Sequence, residues 1–188
     1  MKQSIFFNDG GQGGLPIVFV HSLAGHAAQW DAQLTHVRRS TRAVALTLRG
    51  HQGSFMPEEP AFSLSQLAED IGTVVDQLNL ERFILVGHSL GASVALRYAA
   101  SHGKRIAGLL LADPSGDSTQ LPADEINGML MALDSPAYQQ VIEGYWQQIL
   151  AGATEETAVQ VLQDLRHTPK DTVVNCMKQL IAYNPTED

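Results

Sequence analysis

Short apolar runs recur along the first part of the chain, and between them the apolar positions spread to a helical period. Residues 17–20 (IVFV), 42–48 (RAVALTL), 83–87 (FILVG) and 106–112 (IAGLLLA) are such runs. Continuous rather than alternating, they predict strands buried on both faces. A further short strand is predicted over residues 4–7, before a turn at 8–14 (NDGGQGG). The intervening segments carry one-sided helical faces: Trp30, Leu34 and Val37; then Leu64, Leu67, Ile71, Val74, Val75 and Leu78; then Leu90, Val94, Ala95 and Tyr98, with the last helix reaching about His102. Ser63 and Gln66 have the spacing of a capping box. Strands alternating with helices predict an α/β fold, a mostly parallel sheet with helices on both faces.

The pattern changes after Asp117. From Leu121 to Tyr183 no strand period occurs, and helix starts are marked by Pro122 before Asp124 and Glu125, by Ser135-Pro136, by Thr154 before Glu155 and Glu156, and by Thr168-Pro169. Gly152 marks a stop. The expected organisation is therefore a core over residues 1–116 and about four short helices over residues 117–184, carried on the rim beyond Asp113.

Composition narrows the partners. Of 188 residues, 44% are hydrophobic and 17% charged, as in ordinary globular proteins. A net charge of −8 argues against nucleic acid or an anionic membrane as partner. The N-terminus lacks the apolar core of a secretory signal, and no stretch has the length of a membrane span. Cys176 is the only cysteine; it sits in an apolar helical pattern, reads as a small core residue, and suits a reducing, cytoplasmic setting. The glycine cluster at 8–14 leads into a strand rather than a helix, so it is no phosphate cradle, and neither a metal nor an organic cofactor is implied.

The strongest chemical signal is Gly87-His88-Ser89-Leu90-Gly91. A G-x-S-x-G pentapeptide alone fits an incidental turn. Placed between a buried strand and a helix, it fits a nucleophile elbow, in which flanking glycines let strand and helix pass closely while the Ser89 hydroxyl stands clear. In parallel sheets reactive groups gather at the carboxyl ends of the strands, and by this count His21, Arg49, Ser89 and Asp113 share one rim.

Together, a strand ending in His21-Ser22-Leu23, the Arg49-Gly50-His51 loop, the GHSLG elbow and a helical insertion resemble the α/β-hydrolase fold with a lid, in its esterase, lactonase and carbon–carbon bond hydrolase branch. The resemblance covers essentially the whole chain. It implies Ser89 as the nucleophile and the backbone N–H groups of Leu23 and Leu90 as oxyanion donors. It implies a small apolar, ester-like substrate, with Ser22, Met129, Leu133 and Trp146 as candidate pocket residues; the lid residues among these also suit plain packing. Three positions depart from the family pattern: Ser22 and Gln52, where glycine is usual or common, and Thr47, where aspartate is common. Thr47 and Gln52 are expected to be structural. The family also has two strands after the lid that deliver an acid and a histidine, and no such strands are legible here. The catalytic histidine is therefore expected beyond residue 188. Among the histidines present, His21 and His51 read as loop braces, His88 as directed away from Ser89, and His102 as lying on the far side of the sheet. His26 and His167 are the two within possible reach of the site. Asp113 is a candidate acid, with turn capping before Pro114 the competing reading. The alternative to an esterase-like enzyme is a non-catalytic, hydrolase-like chain that binds a ligand or partner. With the last strands not legible, an open, apolar sheet edge is expected, so that the chain is expected to be a fragment, to be complemented by another polypeptide, or to oligomerise through that edge.

Overall fold

The computed structural model describes residues 4–59 and 61–187. Its five strands are β1 (Phe7–Gly10), β2 (Ile17–Val20), β3 (Ala43–Leu46), β4 (Phe83–His88) and β5 (Ile106–Ala112), arranged β1-β3-β2-β4-β5. β1 pairs antiparallel with β3 and every other pairing is parallel, with Val20 facing Leu46 on one side and Gly87 on the other.

Alternation along the strands divides the core between the two faces. Val18, Val20, Val44, Leu46 and Leu85 pack beneath α2 (Leu64–Gln77) and α3 (Leu90–His102). Phe19, Ala43, Ala45 and Val86 face Leu34 of α1 (Asp31–Val37) and Trp30. The capping box at Ser63 and Gln66 forms as predicted. Both faces of β2, β3 and β4 are thus covered, as their continuous apolar runs require.

The first strand differs from its prediction. It lies at 7–10 rather than 4–7, within the segment read as a turn. Being an edge strand, it is held by backbone pairing to β3 and by the Arg38 guanidinium, which donates to the carbonyls of Asn8 (2.7 Å) and Ala43 (2.9 Å). Neither contact leaves an apolar signature.

Four helices follow the sheet: α4 (Ala123–Asp134), α5 (Tyr138–Ile149), α6 (Glu155–His167) and α7 (Lys170–Ile181). Their buried side chains, among them Leu133, Ile142, Trp146, Leu165 and Val173, join the same core cluster as β2 and α3. They are pinned to the loops at the carboxyl ends of the strands, where Thr172 donates to the Gly50 carbonyl at 3.0 Å. Cys176 is buried here, and burial pushes its thiol up to about 12, the behaviour of a packing residue. β5 ends the order of strands among the described residues, with Leu109 37% and Leu110 53% exposed. No helix among the described residues is long and apolar enough to cross a membrane.

Candidate active site

Ser89 joins β4 to α3 with φ 51° and ψ −116°. A residue other than glycine held in so sparsely populated a region costs about 1–3 kcal/mol, so the surroundings must impose it. They do so by contact. A Cβ on Gly91 would lie 2.5 Å from the carbonyl oxygens of both Val20 and His21. One on Gly87 would strike the Gly91 carbonyl and lie 2.7 Å from the Ala92 Cα. The Ser89 N–H donates to the Ala112 carbonyl at 3.0 Å, tying the elbow to the end of β5. Gly91→Ala is expected to lower stability by about 1–3 kcal/mol, because the obstacle is backbone that has nowhere to move. A urea titration with an unchanged midpoint would refute that account of the crowding.

The close approach of Gly91 to Val20 and His21 also brings the start of α3 against the loop at 21–27. Among the described residues, neither the Leu23 nor the Leu90 N–H meets a protein acceptor. The Leu90 amide is one of the free donors at a helix start, where the dipole favours negative charge. The side chains of Leu23 and Leu90 are buried and serve packing.

The 21–27 loop is braced from the segment following β3. His21 donates from Nδ1 to the Ser22 carbonyl (2.7 Å) and accepts the Leu48 N–H at Nε2 (3.0 Å). His51 donates from Nδ1 to the Arg49 carbonyl (3.0 Å) and accepts the Ala24 N–H at Nε2 (3.3 Å). Thr47 Oγ1 accepts the Ala27 N–H at 3.0 Å. Ala24 itself sits at φ 61°. Both histidines are thereby fixed as neutral Nδ1–H tautomers, and burial lowers both: His51 to about 4, and His21 well below its ordinary value. Behind them, the buried Asp70 carboxylate of α2 receives Arg49 through Nε (2.9 Å), Nη2 (2.7 Å) and the backbone N–H (2.8 Å). Asp70 and Asp164 (described below) are polar groups of this region that sequence reading did not single out, whereas Thr47 was expected to be structural.

The remaining predicted residues are distributed less closely. Asp113 follows β5 at φ 47°, exposed. It lies near enough to His88 for its charge to raise that imidazole, although burial wins and His88 is lowered overall. Met129 and Leu133 line an apolar cavity of about 570 Å³ between α4, α5, α7 and residues 115–118. Ser22 and Trp146 do not line it: the Ser22 hydroxyl donates to Gln29 Oε1 (3.2 Å), and Trp146 is packed into the core. His26 pairs with Asp164 at 3.4 Å, His167 bonds the Gln163 carbonyl at 2.8 Å, His102 stacks on Tyr98, and His36 contacts Arg39. None of these hydrogen bonds orients an imidazole on Ser89. Among the described residues no group of three or more His, Cys, Asp or Glu side chains is placed to hold a metal ion.

Comparison with known proteins agrees with the fold. Residues 16–166 match the family model for the alpha/beta hydrolase fold. Similar proteins include the dihydrolipoyllysine-residue acetyltransferase component of the acetoin cleaving system of Pseudomonas putida, 30% identical over 132 residues that cover 70% of this chain and 35% of that protein. They also include a non-heme haloperoxidase of Rhodococcus erythropolis, 37% identical over 100 residues covering 53% of this chain and 36% of that protein. Among solved structures, an esterase from Thermogutta terrifontis superposes with a TM-score of 0.80 at 21% identity, covering 94% of this chain and 66% of that one. The enol-lactonase of Burkholderia xenovorans LB400 gives 0.78 at 18% identity, covering 95% and 70%. The matched region thus spans about a third of the length of these curated relatives.

Proposed function

The chain belongs to the α/β-hydrolase fold family, and from that premise we propose that Ser89 is the nucleophile of a hydrolase acting on an ester, lactone or related carbonyl. The observation that carries this reading is the strained backbone of Ser89 at the head of α3, enforced by Gly87 and Gly91. Strain at a functional turn is retained only where the surroundings over-determine it. In this mechanism Ser89 Oγ attacks the carbonyl carbon, and the N–H groups of Leu23 and Leu90 take the developing oxyanion, each such bond typically worth about 3 kcal/mol. Collapse of the tetrahedral intermediate breaks the bond to the alcohol oxygen, which leaves with the proton taken from Ser89, and water then hydrolyses the acyl-enzyme to the acid and free Ser89. The proton carrier is assigned to a histidine outside this sequence, since the histidines at hand are engaged elsewhere or, like His88, make no bond towards Ser89. Asp113 is the candidate acid, and the helices α4–α7 are read as a lid, with Met129 and Leu133 in its apolar cavity favouring a small apolar substrate. The exposed edge at β5 is the proposed place for a complementing segment, chain or second copy.

The second reading, a non-catalytic ligand-binding chain, is favoured by one observation: Ser89 is not among the residues lining the cavity. A fluorophosphonate probe separates the two. The protein expressed in its native reading frame is expected to be labelled at Ser89, and Ser89→Ala to abolish labelling. A folded protein that takes no label would sink the catalytic reading.

A further inference from the structure

The brace that holds the 21–27 loop from β3 has a counterpart on the opposite side, and it comes from the helical layer. α6 is a largely solvated helix with two buried residues, Asp164 and Leu165. Burying a carboxylate is expensive unless it is paired. Asp164 Oδ1 accepts the Gln160 side-chain amide at 3.0 Å and lies 3.4 Å from His26 Nε2. Its Oδ2 has no hydrogen-bond partner among the described residues. One helical turn on, Thr168 Oγ1 lies 2.9 Å from the Asp164 carbonyl and 3.4 Å from the Ala24 carbonyl. The contacts therefore converge on two residues of one loop, and one of these, Ala24, is in the left-handed conformation.

We propose that Asp164, His26 and Thr168 are positioning residues that clamp the 22–26 loop to α6, so that the Leu23 N–H is held in place only while the helical layer is seated. The proposal rests on the reading of that N–H as an oxyanion donor. Its consequence is that seating of the helices and completion of the oxyanion site are one event, and that this event is linked to a proton. The hydrogen bond to Asp164 raises His26, with Asp31 adding to the effect and burial opposing it. The other ionisable groups facing His26 are His21 and His51, which its charge pushes further down. Because His26 is raised in the folded state, its contribution is fully present below the ordinary value of about 6.5 and is lost as pH rises through the folded value.

The test is hydrogen exchange of the 22–27 segment in the full protein, followed across pH and corrected for intrinsic exchange. Protection is expected to fall as His26 loses its proton, and to fall by about tenfold or more in Asp164→Asn, the scale of one charge-assisted hydrogen bond. In that variant the pH dependence should flatten and the His26 imidazole, followed by NMR, should titrate lower. His26→Gln, at a half-exposed position, should reproduce the loss of protection should Asp164→Asn fail to fold. A His26 titrating at about 6.5, with loop protection unchanged in a folded variant, overturns the clamp. The rate of fluorophosphonate labelling supplies the functional arm. A loosened loop with an unchanged rate at Ser89 overturns the positioning role. Loop behaviour as expected in a protein that takes no label leaves the clamp standing and removes the hydrolase reading instead.

Discussion

Replacing Asp70 with alanine is expected to destabilise the fold by about 3–5 kcal/mol, the scale of breaking a buried ion pair from one side. Asp70 is 1% exposed and meets three donors of Arg49, two from the guanidinium and one from the backbone. Burial pushes its carboxyl up, and the hydrogen bonds and charge of Arg49 oppose that. Without Asp70, a guanidinium 8% exposed as a residue keeps Phe55, the Ala61 carbonyl and, at 3.5 Å, the solvent-exposed Glu69 carboxylate, which is too long and too well solvated a contact to replace the buried pair. The damage should travel, because Arg49 offers its own carbonyl to His51, and His51 holds Ala24. Chemical denaturation with the usual two-state checks measures the effect. A loss below about 1 kcal/mol, the level of an exposed ion pair, would show that Arg49 and Asp70 are not coupled as described.

Acidification is expected to attack the same loop. In the unfolded chain a histidine titrates near 6.5, while burial holds His51 at about 4 in the folded protein. Between those values the unfolded state binds the extra proton, so stability is full above the unfolded value and falls as pH drops through the window. His51 alone accounts for about 3 kcal/mol across it, and His21 adds a contribution of the same sign. The local cause is specific. A proton on Nε2 of either ring would face a backbone N–H that this nitrogen now accepts, from Ala24 or from Leu48. Thermal or urea midpoints at intervals from pH 7 to pH 4 should fall in the wild type and fall less steeply in His51→Gln. Equal slopes would refute the assignment. Carboxylates titrate at the low end in both proteins and cancel in the comparison.

What could be read in advance follows from how each feature is encoded. The elbow was legible because it needs particular small residues at fixed offsets, and Gly87 and Gly91 have no substitute where backbone meets backbone. The parallel strands were legible because burial on both faces leaves nothing but apolar residues. β1 was shifted because its stability lies in main-chain pairing and in Arg38, which leave Asn8, Asp9 and Gly10 looking like a turn. Asp70 and Asp164 were illegible for a common reason. An acid on a helix normally signals the solvated side, and the partners that reverse the sign, Arg49 and His26, are distant in sequence. Thr47 was legible as a structural departure from the family pattern, but not the bond by which it acts, since its hydroxyl meets a backbone N–H that no pattern announces.

The backbone at position 89 is imposed by its glycine neighbours and by the Ala112 carbonyl, with no contribution from the serine side chain. The turn is therefore a pedestal: its shape is set by the main chain around it, ahead of whatever its side chain does. The similar proteins carry names as different as haloperoxidase and acetyltransferase component. Such variety of names on one fold is what is expected where function is grafted on a scaffold rather than dictated by it.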